Sequence, residues 1–203
     1  MPNSSNPMQS KIPLKRLLSI TGIIGIGLSL IIILFLTFYL QGHAYIYYIK
    51  STSTSFETPV RLIIPKIGVD AVVESLGLTS DGAMDVPKVP NDVAWFNLGP
   101  RPGENGSAVI AGHYGFWKNG KGSVFDDLNK LRKGDKIFIE DKKGTIIAFV
   151  VRELKRYDQA ADVPEVFNLN DGKSHLNLIT CEGIWDKDKK TYSDRLIIFT
   201  DRE

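Results

Sequence analysis

The chain has 203 residues, and 25 Lys+Arg against 23 Asp+Glu leave a formal net charge of +2. That is too close to neutral for a partner held through phosphate contacts, so nucleic acid is excluded as the partner class. A single cysteine excludes any disulfide within the chain.

The first predicted element lies near the N-terminus. Residues 17–40 run LLSITGIIGIGLSLIIILFLTFYL without a charge, long enough to cross a bilayer core of about 30 Å as one helix. Lys11, Lys15 and Arg16 precede it with no acidic residue upstream, and Tyr39, Tyr45, Tyr47 and Tyr48 follow like an interfacial aromatic belt. The expectation is a single-pass protein of the cell membrane, held in the lipid bilayer through residues 17–40, with its N-terminus cytoplasmic and everything after Tyr48 outside. A cleaved secretory leader is the alternative, and the length of the apolar run argues against it. Gly22, Gly25 and Gly27 lack the four-residue spacing of a helix-dimer seam.

The expected domains are a cytoplasmic tail over 1–16, the transmembrane helix over 17–40, a tether over 41–59 and an extracytoplasmic domain over 60–203. The tether reading rests on the Ser/Thr-rich stretch KSTSTSFETP from Lys50 to Pro59. Beyond it, short β-branched runs are separated by Gly, Pro, Asn and Asp, the pattern of a mostly β domain. Seven runs read as strands, beginning at Arg61 (RLIIPKIGV), Ala71, Ser107, Lys136, Thr145, His175 and Arg195, and seven short strands predict a closed barrel or a sandwich. Residues 79–82 and 132–135 read as turns. Val124, Leu128 and Leu131 predict a short helix, and 160–169, which contains Pro164, reads as a loop with a helical turn.

Three polar residues stand at the ends of these runs: His113 closes the third, Cys181 closes the sixth, and Arg195 opens the seventh. If the last two runs pair across the loop 182–194, Cys181 and Arg195 sit side by side. A cysteine reacts as thiolate, of which an unperturbed thiol supplies little at neutral pH. A histidine within reach can take its proton and return it to a leaving amine, and an arginine can stabilise a thiolate or an oxyanion. Taken singly, each has a plainer account: a buried apolar cysteine, a structural histidine, a surface salt-bridge arginine.

The segment Asn177-Leu178-Ile179-Thr180-Cys181, with Ala111-Gly112-His113 upstream and Arg195 in the following strand, resembles the signature of the sortase family. The resemblance covers nearly all of 60–203, including the IPKIGV start and the FDDLNKLRKGD passage. The usual pattern is Thr-Leu-x-Thr-Cys. Asn177 stands where the first Thr is usual, which bears on subclass; with no evident C-terminal membrane segment or long N-terminal lid, the resemblance leans to class D, E or F.

What the resemblance implies is a closed sortase-type β-barrel of seven to eight strands with short helices. It implies Cys181, His113 and Arg195 as catalytic residues, and Thr180 and Ala111 in the substrate-binding groove. It further implies cleavage of an LPxTG-like sorting motif in exported proteins through a thioester, and transfer to an amine of a cell-wall precursor or a pilin lysine. A thiol peptidase using water as acceptor and a non-catalytic exported binding module are the alternatives.

His175 and His43 gain nothing from the constellation and are read as solvated. The loop 182–194, with Trp185 among charged residues, reads as a solvated loop or as a mobile rim that selects substrate. No Cys-x-x-Cys or His-x-x-x-His occurs, and the pairs Asp126-Asp127 and Glu140-Asp141 lack calcium-loop spacing, so no metal and no cofactor is expected.

Overall fold

The computed structural model describes residues 29–40, 55–117 and 120–203. Residues 29–40 form a helix, α1, and those before it, which hold the first half of the predicted span, lie outside the described residues, as does His43. Among the described residues no helix is long and apolar enough to cross a membrane. Residues 55–203 form a compact unit of their own.

Its strands are β1 (Pro59–Ile64), β2 (Val69–Leu76), β3 (Val93–Phe96), β4 (Gly106–Gly112), β5 (Lys136–Asp141), β6 (Ile146–Asp158), β7 (Ser174–Asp186) and β8 (Thr191–Arg202), with a four-residue helix α2 (Glu165–Asn168) before β7. They close in the order β1-β2-β3-β4-β7-β8-β6-β5, so no sheet edge is left open. The β2–β3 and β4–β7 pairs are parallel and the others antiparallel.

Local sequence explains most of these boundaries. β5 and β6 alternate buried and half-exposed residues, as a strand with one face on a core must. β4 is buried at every position, and its small residues GSAVIAG suit a strand covered on both faces. One face meets the barrel core of Leu62, Ile110, Phe125, Ile139, Phe149 and Leu178 among others; the opposite side carries a second cluster of Val109, Val166 of α2, Ile197 and Phe199.

Several expectations are corrected. In the run RLIIPKIGV β1 ends at Ile64, because Pro65 opens a 3-10 turn over Pro65–Ile67 and Gly68, at φ 67°, lets the chain double back into β2, which begins at Val69 and takes in the run from Ala71. The helix expected over 124–131 is a turn followed by a 3-10 turn at Leu128–Lys130. The 182–194 segment is not all loop: β7 and β8 continue through it as a hairpin that turns at 187–190, and solvent reaches most of it. His175 is not solvated either, being 2% exposed with its ring nitrogens 2.8 Å from Asp201 Oδ1 and 2.9 Å from Asp171 Oδ1.

The segment read as tether is already held near its end. Phe56 packs on the core with the Arg202 guanidinium 4.7 Å above its ring, and the Glu57 amide donates to Asp141 Oδ2 at 3.3 Å.

Candidate active site

Pairing of β7 with its two neighbours builds the site. On one side Cys181 lies directly opposite Arg195 of β8. On the other, the parallel register with β4 runs up to Ala111 opposite Ile179, and His113 follows Gly112, the last residue of that strand. The Thr180 hydroxyl donates to the Gly112 carbonyl at 2.8 Å, which ties the last residue of β4 to the strand of the cysteine.

A cavity of about 850 Å³ opens here. Ala111, Gly112, Thr180, Cys181 and Arg195 form its barrel-side wall; Val163, Val166 and Phe167 close it from α2 and the approach to it, and Leu78, Met84 and Val86 from the β2–β3 connection. Most of its lining is apolar, so it suits a short peptide in extended form better than a charged ligand. Among the described residues no group of three or more His, Cys, Asp and Glu is gathered as a metal would need.

Arg195 is held by the hairpin. Its Nη1 donates to the carbonyls of Tyr192 at 3.1 Å and Asp194 at 3.0 Å, and its Nη2 to Thr191 Oγ1 at 3.1 Å. Three bonds to the first residues of β8 fix where the guanidinium charge sits. Burial pushes the Cys181 thiol above its ordinary range, and the Arg195 charge acts the other way.

That balance predicts a pH profile. Iodoacetamide alkylates the thiolate, so its rate should rise with pH around a midpoint above that of an unperturbed thiol, about 8.5. Replacing Arg195 by Gln removes the charge that favours the thiolate, and should move the midpoint higher still and slow alkylation below it. A midpoint that stays put or falls in R195Q would show that the guanidinium does not act on the sulfur.

His113 is not among the residues lining the cavity. Its Nε2 lies 2.6 Å from the carbonyl of Pro87, and its ring packs against Trp117 with centroids 5.2 Å apart. A carbonyl can only accept, so this contact keeps the hydrogen on Nε2 and leaves Nδ1 as the proton-accepting nitrogen. Nothing in sequence spacing signals a backbone carbonyl twenty-six residues upstream as the partner of the ring. The loop that follows is clasped by Asp126, which accepts from the Gly115 amide at 2.6 Å and the Ser123 amide at 2.9 Å.

Residues 62–203 match the model of the sortase domain. The chain belongs to the sortase family. No curated protein matches this sortase. Among solved structures, sortase C1 of Streptococcus agalactiae in complex with MTSET is 24% identical over 70% of this chain and 66% of its own, with a TM-score of 0.55. Sortase C-1 from Actinomyces oris is 21% identical over 78% of this chain and 81% of its own, with a TM-score of 0.57. Group B Streptococcus Pilus Island 1 sortase C2 is 27% identical, covering 70% and 72%, with a TM-score of 0.53. This sortase spans 66% and 63% of the first two sortase C1 chains it matches. The likeness is one of fold, so the class C of these structures is not carried over.

Proposed function

We propose that this sortase is a membrane-anchored cysteine transpeptidase that cuts a sorting motif of the Leu-Pro-x-Thr-Gly type in exported proteins and joins the new end to an amine. Residues 17–40 serve as the anchor, with the N-terminus cytoplasmic and residues 60–203 outside. The observation that carries the chemistry is the direct pairing of Cys181 with Arg195 across β7 and β8, both on the wall of one cavity.

The raised thiol calls for a base at the moment of attack, and His113 Nδ1 is the nitrogen available for it. Cys181 sulfur adds to the scissile carbonyl, and the Arg195 guanidinium stabilises the oxyanion. His113 returns the proton to the departing amine as the C–N bond breaks, leaving a thioester. An amine of a peptidoglycan precursor or of a pilin lysine then attacks the thioester, and the thiol is restored. Thr180 and Ala111 line the acyl side of the groove.

The test is to incubate the full-length chain in detergent with peptides of the Leu-Pro-x-Thr-Gly type, with and without triglycine, and to follow products by mass spectrometry. A peptide–triglycine adduct is the expected product. Cleavage with water alone as acceptor would replace this reading by a peptidase, and inertness across varied motifs would leave a binding module.

A further inference from the structure

In the reaction proposed above, the acyl part of the substrate occupies the cavity while the thioester waits. The acceptor must therefore reach Cys181 from a side that the cavity does not line. Beyond the Cys181–Arg195 pair, β7 and β8 continue as a hairpin in which Trp185 pairs with Tyr192. The Tyr192 ring packs edge-on with Trp185 at 5.0 Å between centroids and with Tyr114 at 5.2 Å. Tyr114 is the residue after His113, so this cluster adjoins the base as well as the nucleophile.

None of the three rings lines the cavity. Trp185 is 47% exposed, and the Tyr192 hydroxyl lies over Gly115, in contact with the space a side chain there would fill. Burial raises the Tyr192 phenol, with further contributions from Tyr114, Cys181 and Asp126, so that hydroxyl stands within electrostatic reach of the thiol.

We propose that Tyr114, Trp185 and Tyr192 form the docking shelf for the protonated amine of the acceptor. The inference rests on the transpeptidase reading. Aromatic faces attract an ammonium and offer little to water or to an uncharged nucleophile. The shelf thus concentrates the acceptor next to His113 and favours transfer over hydrolysis. As the ammonium leaves the shelf, one of its protons goes to solvent. A second passes through His113 to the Cys181 sulfur as the N–C bond forms and the C–S bond breaks.

The test uses the full-length chain in detergent, a Leu-Pro-x-Thr-Gly peptide, and two acceptors. Triglycine is mostly protonated near neutral pH, whereas hydroxylamine is uncharged there. Trp185→Leu and Tyr192→Leu keep apolar bulk but remove a π face, and each should raise the KM for triglycine about three- to tenfold. In the same variants the KM for hydroxylamine should not rise, and Tyr192→Phe, which keeps the π face, should not raise the KM for triglycine. Equal losses with both acceptors would mean the rings merely brace the hairpin, and an unchanged triglycine KM would mean the amine docks elsewhere; either overturns the shelf. Absence of any thioester in the wild-type protein would instead overturn the transpeptidase reading, and the shelf with it.

Discussion

Replacing Cys181 by alanine is expected to abolish thioester formation completely while leaving the barrel folded. The loss should be total because the chain has no other thiol to take the acyl group. His113→Ala should instead leave residual turnover, since a positioned base contributes about 10²–10⁴-fold and the sulfur would remain. The fold should tolerate the loss of Sγ, because Cys181 is only partly buried and makes no disulfide; a melting temperature within about 2–4 °C of wild type corresponds to a change of about 1 kcal/mol. Intact-mass measurement after incubation with a sorting peptide reads the outcome. An acyl adduct on the alanine variant would end the case for this nucleophile.

The adjacency of Cys181 and Arg195 was legible because antiparallel neighbours joined by a short connection must pair, and the two residues sit symmetrically about that connection. The run of small and β-branched residues from Ser107 to Gly112 likewise announced a strand. What sequence did not reveal was β3, four residues long and framed by Pro90 and Pro100, too short for alternation to register. Nor did it reveal the length of the hairpin. Charged residues from Asp186 to Lys190 look like loop, yet the chain needs only that stretch to turn, with Lys190 at φ 51°, before Thr191 re-enters the sheet.

His175 and His113 show the other limit. His113 follows the last residue of β4 and His175 is the second residue of β7, and no sequence pattern tells which of the two is buried. His175 is enclosed between Asp171 and Asp201 because the loop before β7 folds back over it, a contact made by tertiary structure alone. The cavity wall formed by Leu78, Met84 and Val86 belongs to the same category, since an irregular connection carries no periodicity to show which side it presents.

Replacing Phe125 by alanine should be among the most destabilising single changes in the domain. The ring is fully buried in the barrel core, and a Cβ at Gly112 would lie 2.5 Å from its Cδ2, so ring and strand are fitted against each other. Its amide donates to the His113 carbonyl at 3.1 Å, and that of Val124 to the Pro90 carbonyl at 2.9 Å, so the ring wedges under the backbone that carries the base. Emptying such a site costs about 3–5 kcal/mol, a large part of the total stability of an ordinary domain. A fall in melting temperature of about 10 °C is expected by calorimetry. Because β4 ends on this ring, the variant should also lose kcat below its melting transition, while Phe125→Leu, which keeps most of the volume, should recover much of both. Equal stability for the alanine and wild-type proteins would mean that the ring is not the wedge beneath His113, and that the end of β4 is held by its pairing with Val93 and by the Thr180–Gly112 bond.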